Sequence, residues 1–219
     1  MEYPNAKKGI KKVYIAQIFA LSATLFSSAS WLLISFSVDF IDDISFLFSP
    51  LGGANILLAF LSSSLLIITA ALSFLGYFQA SKDEREFKRS MICILLFGVF
   101  TVIGSMFKVP NGMISTILNS AGTIFEMFVM IYATSGIINL SEKCERPDLA
   151  KKGEVILRFF VFTYIIYALT TIAIRIFELS THLRFVLVIA GAINFIVSII
   201  QIIVYMKYLS LTKKMLENS

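Results

Sequence analysis

Six long runs of apolar residues, separated by short polar segments, form the pattern along the chain. Most runs hold about 20 residues or more, the length that a helix needs to cross roughly 30 Å of hydrocarbon. They are continuous, whereas membrane strands alternate apolar and polar residues over about ten positions. The pattern therefore predicts an all-α integral membrane protein with six transmembrane helices. The predicted spans lie near Val13–Val38, Gly53–Gln79, Ser90–Phe107, Met113–Leu140, Glu154–Glu178 and Arg184–Leu209.

The composition agrees with this class. Hydrophobic residues make up 58% of the 219 residues and charged residues 15%, and the mean hydropathy is +0.85. In soluble domains hydrophobic residues average about 45–50% and charged residues about 25%. A soluble globule of this size could not bury so much apolar surface, and a disordered chain would hold far less. We expect residues 1–219 to form a single transmembrane domain.

The first apolar run follows four lysines and so shares one feature with a secretory signal peptide. A signal peptide has an apolar core of only about 7–15 residues. Here the apolar run continues through Trp31, Leu32 and Ile34, beyond a plausible cleavage point. The pattern favours a first helix that is retained.

The distribution of Lys and Arg predicts the orientation, because these residues concentrate in cytoplasmic loops. Sixteen of the 19 lie on one predicted side of the membrane. They are Lys7, Lys8, Lys11, Lys12, Lys82, Arg85, Lys88, Arg89, Lys143, Arg146, Lys151, Lys152, Arg158, Lys207, Lys213 and Lys214. Both termini are therefore predicted to be cytoplasmic, in the plasma (cytoplasmic) membrane. The net charge of +5 reflects this asymmetry, so the lipid bilayer is the expected partner and nucleic acid is not.

Similar segments recur where predicted helices meet the cytoplasmic side. The tetrapeptide at residues 6–9, Ala-Lys-Lys-Gly, returns at residues 150–153. The ends of the second, fourth and sixth helices share an apolar–polar–apolar–hydroxyl order at 76–81, 136–141 and 207–212. These similarities predict three tandem helical hairpins built from one repeated unit. The alternative is that all span ends resemble one another because each needs basic residues.

Glu126 stands near the middle of the fourth predicted span. A charge at that depth costs roughly 2.5–3.5 kcal/mol on insertion scales, and such residues usually face the protein interior or a wet cavity. Ser115, Asn119, Gly122 and Glu126 follow at intervals of four, three and four residues, which places them on one helical face. Glu126 is thus the candidate ion or ligand group; the alternative is a neutral, hydrogen-bonded structural role.

Amides on the same and another predicted helix complete the candidate site. Asn119 precedes Glu126 by two turns, and Asn194 and Gln201 belong to a polar stripe of the sixth helix, with Gly191, Ser198 and Tyr205. The fifth helix adds Thr163, Tyr167 and Thr170, and the second adds Ser62. Such residues also hold helices together through interhelical hydrogen bonds and close backbone approach. Both interpretations of the amides stay open at this point.

Two further features narrow the function. The two cysteines, Cys93 and Cys144, are expected to be free thiols, and the chain holds a single histidine. The sequence shows no nucleophile elbow, phosphate-binding glycine loop or metal-ligand spacing, so no enzyme, cofactor or metal site is expected.

The leading prediction is a transporter or channel-type protein, working as a homo-oligomer or as a membrane subunit of a transporter. The alternative is a non-transporting accessory, assembly or lipid-interacting membrane protein.

Overall fold

A computed structural model describes residues 3–36, 50–106, 113–178 and 184–218 of the chain. They form six helices: α1 (Pro4–Phe36), α2 (Pro50–Ala80), α3 (Glu86–Met106), α4 (Met113–Lys143), α5 (Pro147–Glu178) and α6 (Arg184–Asn218). Each of the six contains a stretch long and apolar enough to cross a membrane. The predicted class, an all-α membrane protein with six helices, is confirmed.

Several helices extend beyond the predicted apolar spans at the ends rich in lysine and arginine. Helix α1 begins at Pro4 rather than near Val13, and α6 continues past Leu209 to Asn218. In the added turn of α1, Ala6 and Ile10 are fully buried while Lys7 and Lys11 are exposed. An amphipathic segment of this kind folds as helix because its apolar stripe packs, although its mean hydropathy is low. The predicted span ends at Val38 and Phe107 lie outside the described residues.

Proline residues mark three of the helix starts. Pro4, Pro50 and Pro147 are the first residues of α1, α2 and α5. Proline suits this position because its fixed φ matches the helix and the N–H it lacks would have no intrahelical acceptor.

The described residues fall into two compact units. The first unit consists of Met1–Tyr14, Leu72–Tyr164 and Lys207–Ser219, and the second of Ile15–Ala71 and Ile165–Met206. Helices α1, α2, α5 and α6 contribute residues to both units, whereas α3 and α4 belong to the first. The single domain over residues 1–219 stays a prediction.

The first unit is built around the packing of α3 on α4 and the lysine-rich ends of the other helices. Its largest fully buried side chains are aromatic and include Tyr77, Phe87, Phe160 and Tyr208. The rings of Tyr77 and Phe87 stack with centroids 6.1 Å apart. Stacked aromatic pairs add about 0.5–1.5 kcal/mol beyond the apolar area that they bury.

Close helix contacts in this unit depend on three glycines. A Cβ at Gly9 of α1 would collide with the backbone of Gly76 of α2. A Cβ at Gly136 of α4 would lie 3.0 Å from the Phe87 ring of α3. At Gly153 of α5, a Cβ would collide with the hydroxyl of Tyr208 of α6. The pairs α1–α2, α3–α4 and α5–α6 therefore each approach closely at a glycine near their lysine-rich end.

In the second unit, hydrogen bonds join neighbouring helices inside the apolar spans. The Ser30 hydroxyl of α1 donates to Asn55 Oδ1 of α2 at 2.5 Å. The Ser62 hydroxyl of α2 donates to the Ala23 carbonyl of α1 at 3.2 Å. Interhelical hydrogen bonds of this kind contribute about 0.6 kcal/mol each on average. They fix the register of α1 against α2.

Candidate functional site

Glu126 lies on the face of α4 that packs against protein. The neighbours on that face, Gly122 one turn before and Val129 and Ala133 after, are all buried. Spacings of four, three and four residues place these four positions along one stripe. The predicted orientation of Gly122 and Glu126 on one face thus agrees with the helix as described.

The contacts of this stripe show what surrounds Glu126. A Cβ at Gly122 would lie 3.3 Å from Thr101 Oγ1 of α3, and Ser90 of α3 donates to the Val129 carbonyl at 3.3 Å. The Phe125 ring stacks on Phe100 of α3 with centroids 5.3 Å apart. Glu126 is therefore placed between two levels at which α4 touches α3 closely.

The Glu126 side chain itself is exposed, in contrast to its neighbours on the stripe. A water-sized molecule therefore reaches this side chain, although the positions before and after it on the stripe are buried. Within the described residues, no hydrogen-bond donor and no cation pairs with the carboxyl group. A single accessible carboxyl group at mid-helix can take up a proton or a cation, since hard cations prefer oxygen ligands.

The other predicted site residues are divided between the two units. Asn119 belongs to α4 in the first unit, and its side chain lies outside the described ones. Asn194 and Gln201 belong to α6 in the second unit, and both are half-buried. The Thr170 hydroxyl of α5 donates to Asn194 Oδ1 at 2.5 Å, so this amide does join two helices. The grouping of these amides with Glu126 stays a prediction.

The second unit contains a cavity of about 660 Å³ between its four helical segments. Its walls are lined by residues of α1 between Ala23 and Leu32, by Ser62 and Leu66 of α2, by Tyr167 of α5, and by residues of α6 between Gly191 and Ser198. Asn194 is among them, together with Gly191, Ser198, Tyr167 and Ser62 of the predicted polar faces. Five residues of the predicted polar faces thus lie on the wall of one cavity.

The α1 wall of the cavity was missed. Thr24, Ser27, Ser28 and Trp31 line it, and none of them was singled out as a site residue. A signal was available, because five of the nine residues from Ser22 to Ser30 carry hydroxyl groups inside an apolar run. Serine and threonine that bond to their own helix are also common in membrane spans, as Ser28 does to the Thr24 carbonyl at 2.7 Å. Because such bonding within one helix is common, a cluster of hydroxyl groups is only a weak indication of a cavity wall.

Comparisons with protein family models, with curated proteins and with solved structures find no match to this chain. Any function must therefore be argued from the residues and their geometry.

Proposed function

We propose that this six-helix membrane protein is a transporter or channel-type protein, alone as an oligomer or as a membrane subunit, with Glu126 as its protonatable or cation-binding group. One observation carries the proposal: Glu126 is accessible although it lies on the packed face of α4. Asn119, Asn194 and Gln201 are the proposed hydrogen-bonding groups of the pathway. The membrane location itself rests on the six apolar helices.

The energetics support a functional role for this carboxyl group. Leu or Ile at position 126 would avoid the insertion cost of roughly 2.5–3.5 kcal/mol. A structural glutamate normally recovers that cost through hydrogen bonds, and among the described residues Glu126 makes none. Because the side chain is exposed, water or an ion can take the place of those partners. The carboxyl group can then exchange a proton or a cation with its surroundings, as transport requires.

The proposed arrangement includes three tandem hairpins with both termini in the cytoplasm. Hydroxyl groups at the three corresponding helix ends, Ser81, Ser141 and Thr212, bond back to carbonyls of their own helices at 2.7, 2.8 and 2.9 Å. The close helix contacts at Gly9, Gly136 and Gly153 fall near the same ends. Both features support a repeated hairpin unit. Parallel repeats of this kind occur in transporters.

Ion flux into liposomes tests the proposal. Purified protein is reconstituted with a trapped pH-sensitive dye, and a potassium diffusion potential drives protons inward; sodium flux is followed separately. We expect flux through the wild-type protein and a loss of about tenfold or more in Glu126→Gln, which keeps the shape but not the titratable group. Glu142→Gln is the matched control, because Glu142 is an exposed carboxylate at the end of the same helix.

The same experiment separates the two candidate functions. Equal flux in the wild-type protein and Glu126→Gln would contradict the role of Glu126. Flux no greater than in empty liposomes, with Glu126→Gln changing only thermal stability, would favour the accessory or lipid-interacting alternative. Large apolar side chains exposed on the helices, such as Phe60, Ile67 and Phe162, suit contact with lipid under either function.

A further inference from the structure

The walls of the cavity in the second unit are held in position by contacts between helices. Gly191 leaves room for the indole of Trp31, because a Cβ there would lie 2.7 Å from the ring. Ser62 ties α2 to α1 through the Ala23 carbonyl, and Thr170 holds Asn194 of α6. Three helix pairs are thus fixed around the space. A cavity with fixed walls is preorganised, which reduces the ordering cost of binding.

The cavity also presents polar groups that remain available. Asn194 Oδ1 accepts from Thr170, but its Nδ2 donates to no described residue. The hydroxyls of Ser27 and Ser198, which also line the cavity, make no hydrogen bond within the part of the chain that the structure describes. Asn194 and Ser198 are half-buried and Ser27 is exposed, so water or a ligand can reach all three groups. These three groups are therefore suited to water or to a ligand with its own polar atoms.

The rest of the lining is apolar and aromatic. Trp31, Phe195, Leu32 and Leu66 supply large surfaces, and among the described residues none that lines the cavity carries a charge. Moving an ion into such surroundings is costly unless a counter-charge is present. The volume of about 660 Å³ lies in the range of roughly 300–1,000 Å³ that holds small organic ligands. The lining thus selects against ions and for a neutral molecule with an apolar body.

We propose that this cavity is a binding site for an uncharged small molecule with an aromatic or aliphatic body and a carbonyl or hydroxyl group. The carbonyl or hydroxyl oxygen accepts from Asn194 Nδ2, and the apolar body packs against Trp31 and Phe195. Ser27 and Ser198 supply further hydrogen bonds. The site shares Asn194 with the proposed pathway but does not include Glu126, and its test measures binding of a neutral molecule rather than ion flux.

The single tryptophan of the chain makes the test specific, since Trp31 lies on the cavity wall. The full chain in lipid nanodiscs is titrated with 3,5-dibromobenzamide, a neutral amide whose bromine atoms quench tryptophan fluorescence on contact. Its anionic counterpart, 3,5-dibromobenzoate, has nearly the same shape. We expect saturable quenching by the amide and at least about tenfold weaker binding of the benzoate.

Three variants distinguish the site from simple partition into lipid, which gives quenching that does not saturate. Ser198→Leu fills the cavity without removing a described hydrogen bond, and it should abolish the saturable quenching. Asn194→Leu should weaken amide binding about tenfold. Ser63→Leu is the matched control, because Ser63 is exposed on α2 beside Ser62 and does not line the cavity; it should bind like the wild-type protein.

Several results would overturn the proposal. They are quenching that never saturates, equal binding of amide and benzoate, or saturable quenching that survives in Ser198→Leu. A lipid chain as the natural occupant is checked with phospholipid brominated on its acyl chains. Strong quenching of Trp31 by this lipid that the amide does not relieve would assign the cavity to lipid and contradict the inference.

Discussion

Lys143 Nζ lies 2.5 Å from Glu84 Oε2, which joins the C-terminal end of α4 to the loop between α2 and α3. Asn139 of α4 donates to the other carboxylate oxygen at 3.3 Å. Glu84 is only 7% exposed, whereas the lysine side chain is 49% exposed. The carboxylate is thus removed from water and depends on these two donors, while Lys143 keeps much of its hydration.

Replacing Glu84 should therefore cost more than replacing a surface carboxylate. We expect Glu84→Gln to lower the free energy of unfolding by roughly 1–3 kcal/mol, the range for buried hydrogen bonds to charged groups. Glu86→Gln is the matched control: the half-buried Glu86 pairs at 2.8 Å with Arg89, whose side chain is 48% exposed, and pairs that remain open to water contribute about 0–1 kcal/mol. Thermal unfolding in detergent measures both. Equal losses of unfolding free energy in the two variants would show that the burial of Glu84 does not increase the contribution of its ion pair to stability.

The surroundings of two glycines predict that two similar substitutions change the free energy of unfolding in opposite directions. Gly9→Ala places a methyl group against the backbone of Gly76 and Ala80, which cannot move aside as a side chain can. We expect a loss of about 1–3 kcal/mol, the usual cost of overpacking. Gly98→Ala meets nothing within 4 Å and should gain up to roughly 1 kcal/mol from helix propensity.

Thermal unfolding of the two alanine variants under the same conditions checks that prediction. Both substitutions add one methyl group within a membrane helix, so their difference reports the local contact. A Gly9→Ala protein as stable as the wild type would mean that α1 and α2 separate at little cost. Loss of stability in Gly98→Ala would indicate that α3 is covered there by a further chain.

The sequence predicts the helices well and their mutual contacts poorly. Continuous apolar runs fix the number and class of helices, because each run must span hydrocarbon. The contact of Glu84 with Lys143 joins residues 59 apart, and no local pattern signals such a pairing. Gly9 and Gly153 belong to the recurring tetrapeptide, but the sequence does not say which helix each glycine meets. In the structure Gly9 packs against Gly76, and Gly153 packs against Tyr208.

For the candidate site, too, the sequence predicts positions along a helix but not the surroundings that other helices provide. The position of Glu126 at mid-helix follows from counting residues, and the shared face with Gly122 follows from helical periodicity. The accessibility of its side chain does not follow, since it depends on how far neighbouring helices diverge at that level. The cavity wall on α1 was missed because its hydroxyl groups can bond within their own helix, so their pattern does not separate lining from self-bonding.

Cys144 allows a test of the proposed orientation that needs no introduced cysteine. It is half-buried, in the turn between α4 and α5, whereas Cys93 is buried within α3. If the termini are cytoplasmic, a membrane-impermeant maleimide should leave intact cells unlabelled and should label Cys144 after the membrane is permeabilised. Cys144→Ser is the control, because Cys93 alone should react slowly in both states. Labelling of Cys144 in intact cells would reverse the predicted orientation.

The N-terminus of α1 is held by Asp83 of the α2–α3 loop. Asp83 Oδ2 accepts from the Ala6 backbone N–H at 2.7 Å, and Oδ1 accepts from Asn5 Nδ2 at 2.9 Å. The first N–H groups of a helix have no acceptor within it, so this carboxylate replaces a local cap from 77 residues away. Removing a cap of this kind costs about 1 kcal/mol.

Asp83→Ala should therefore speed hydrogen exchange in the first turns of α1, residues 4–10, by about fivefold, which corresponds to about 1 kcal/mol. Asp83→Asn should exchange nearly as slowly as the wild-type protein, because an asparagine side chain still offers one oxygen to the Ala6 N–H. Mass spectrometry of peptides from α1 and, as an internal reference, from α3 measures both variants. Unchanged exchange in Asp83→Ala would mean that the buried Ala6 and Ile10 hold this turn without the carboxylate.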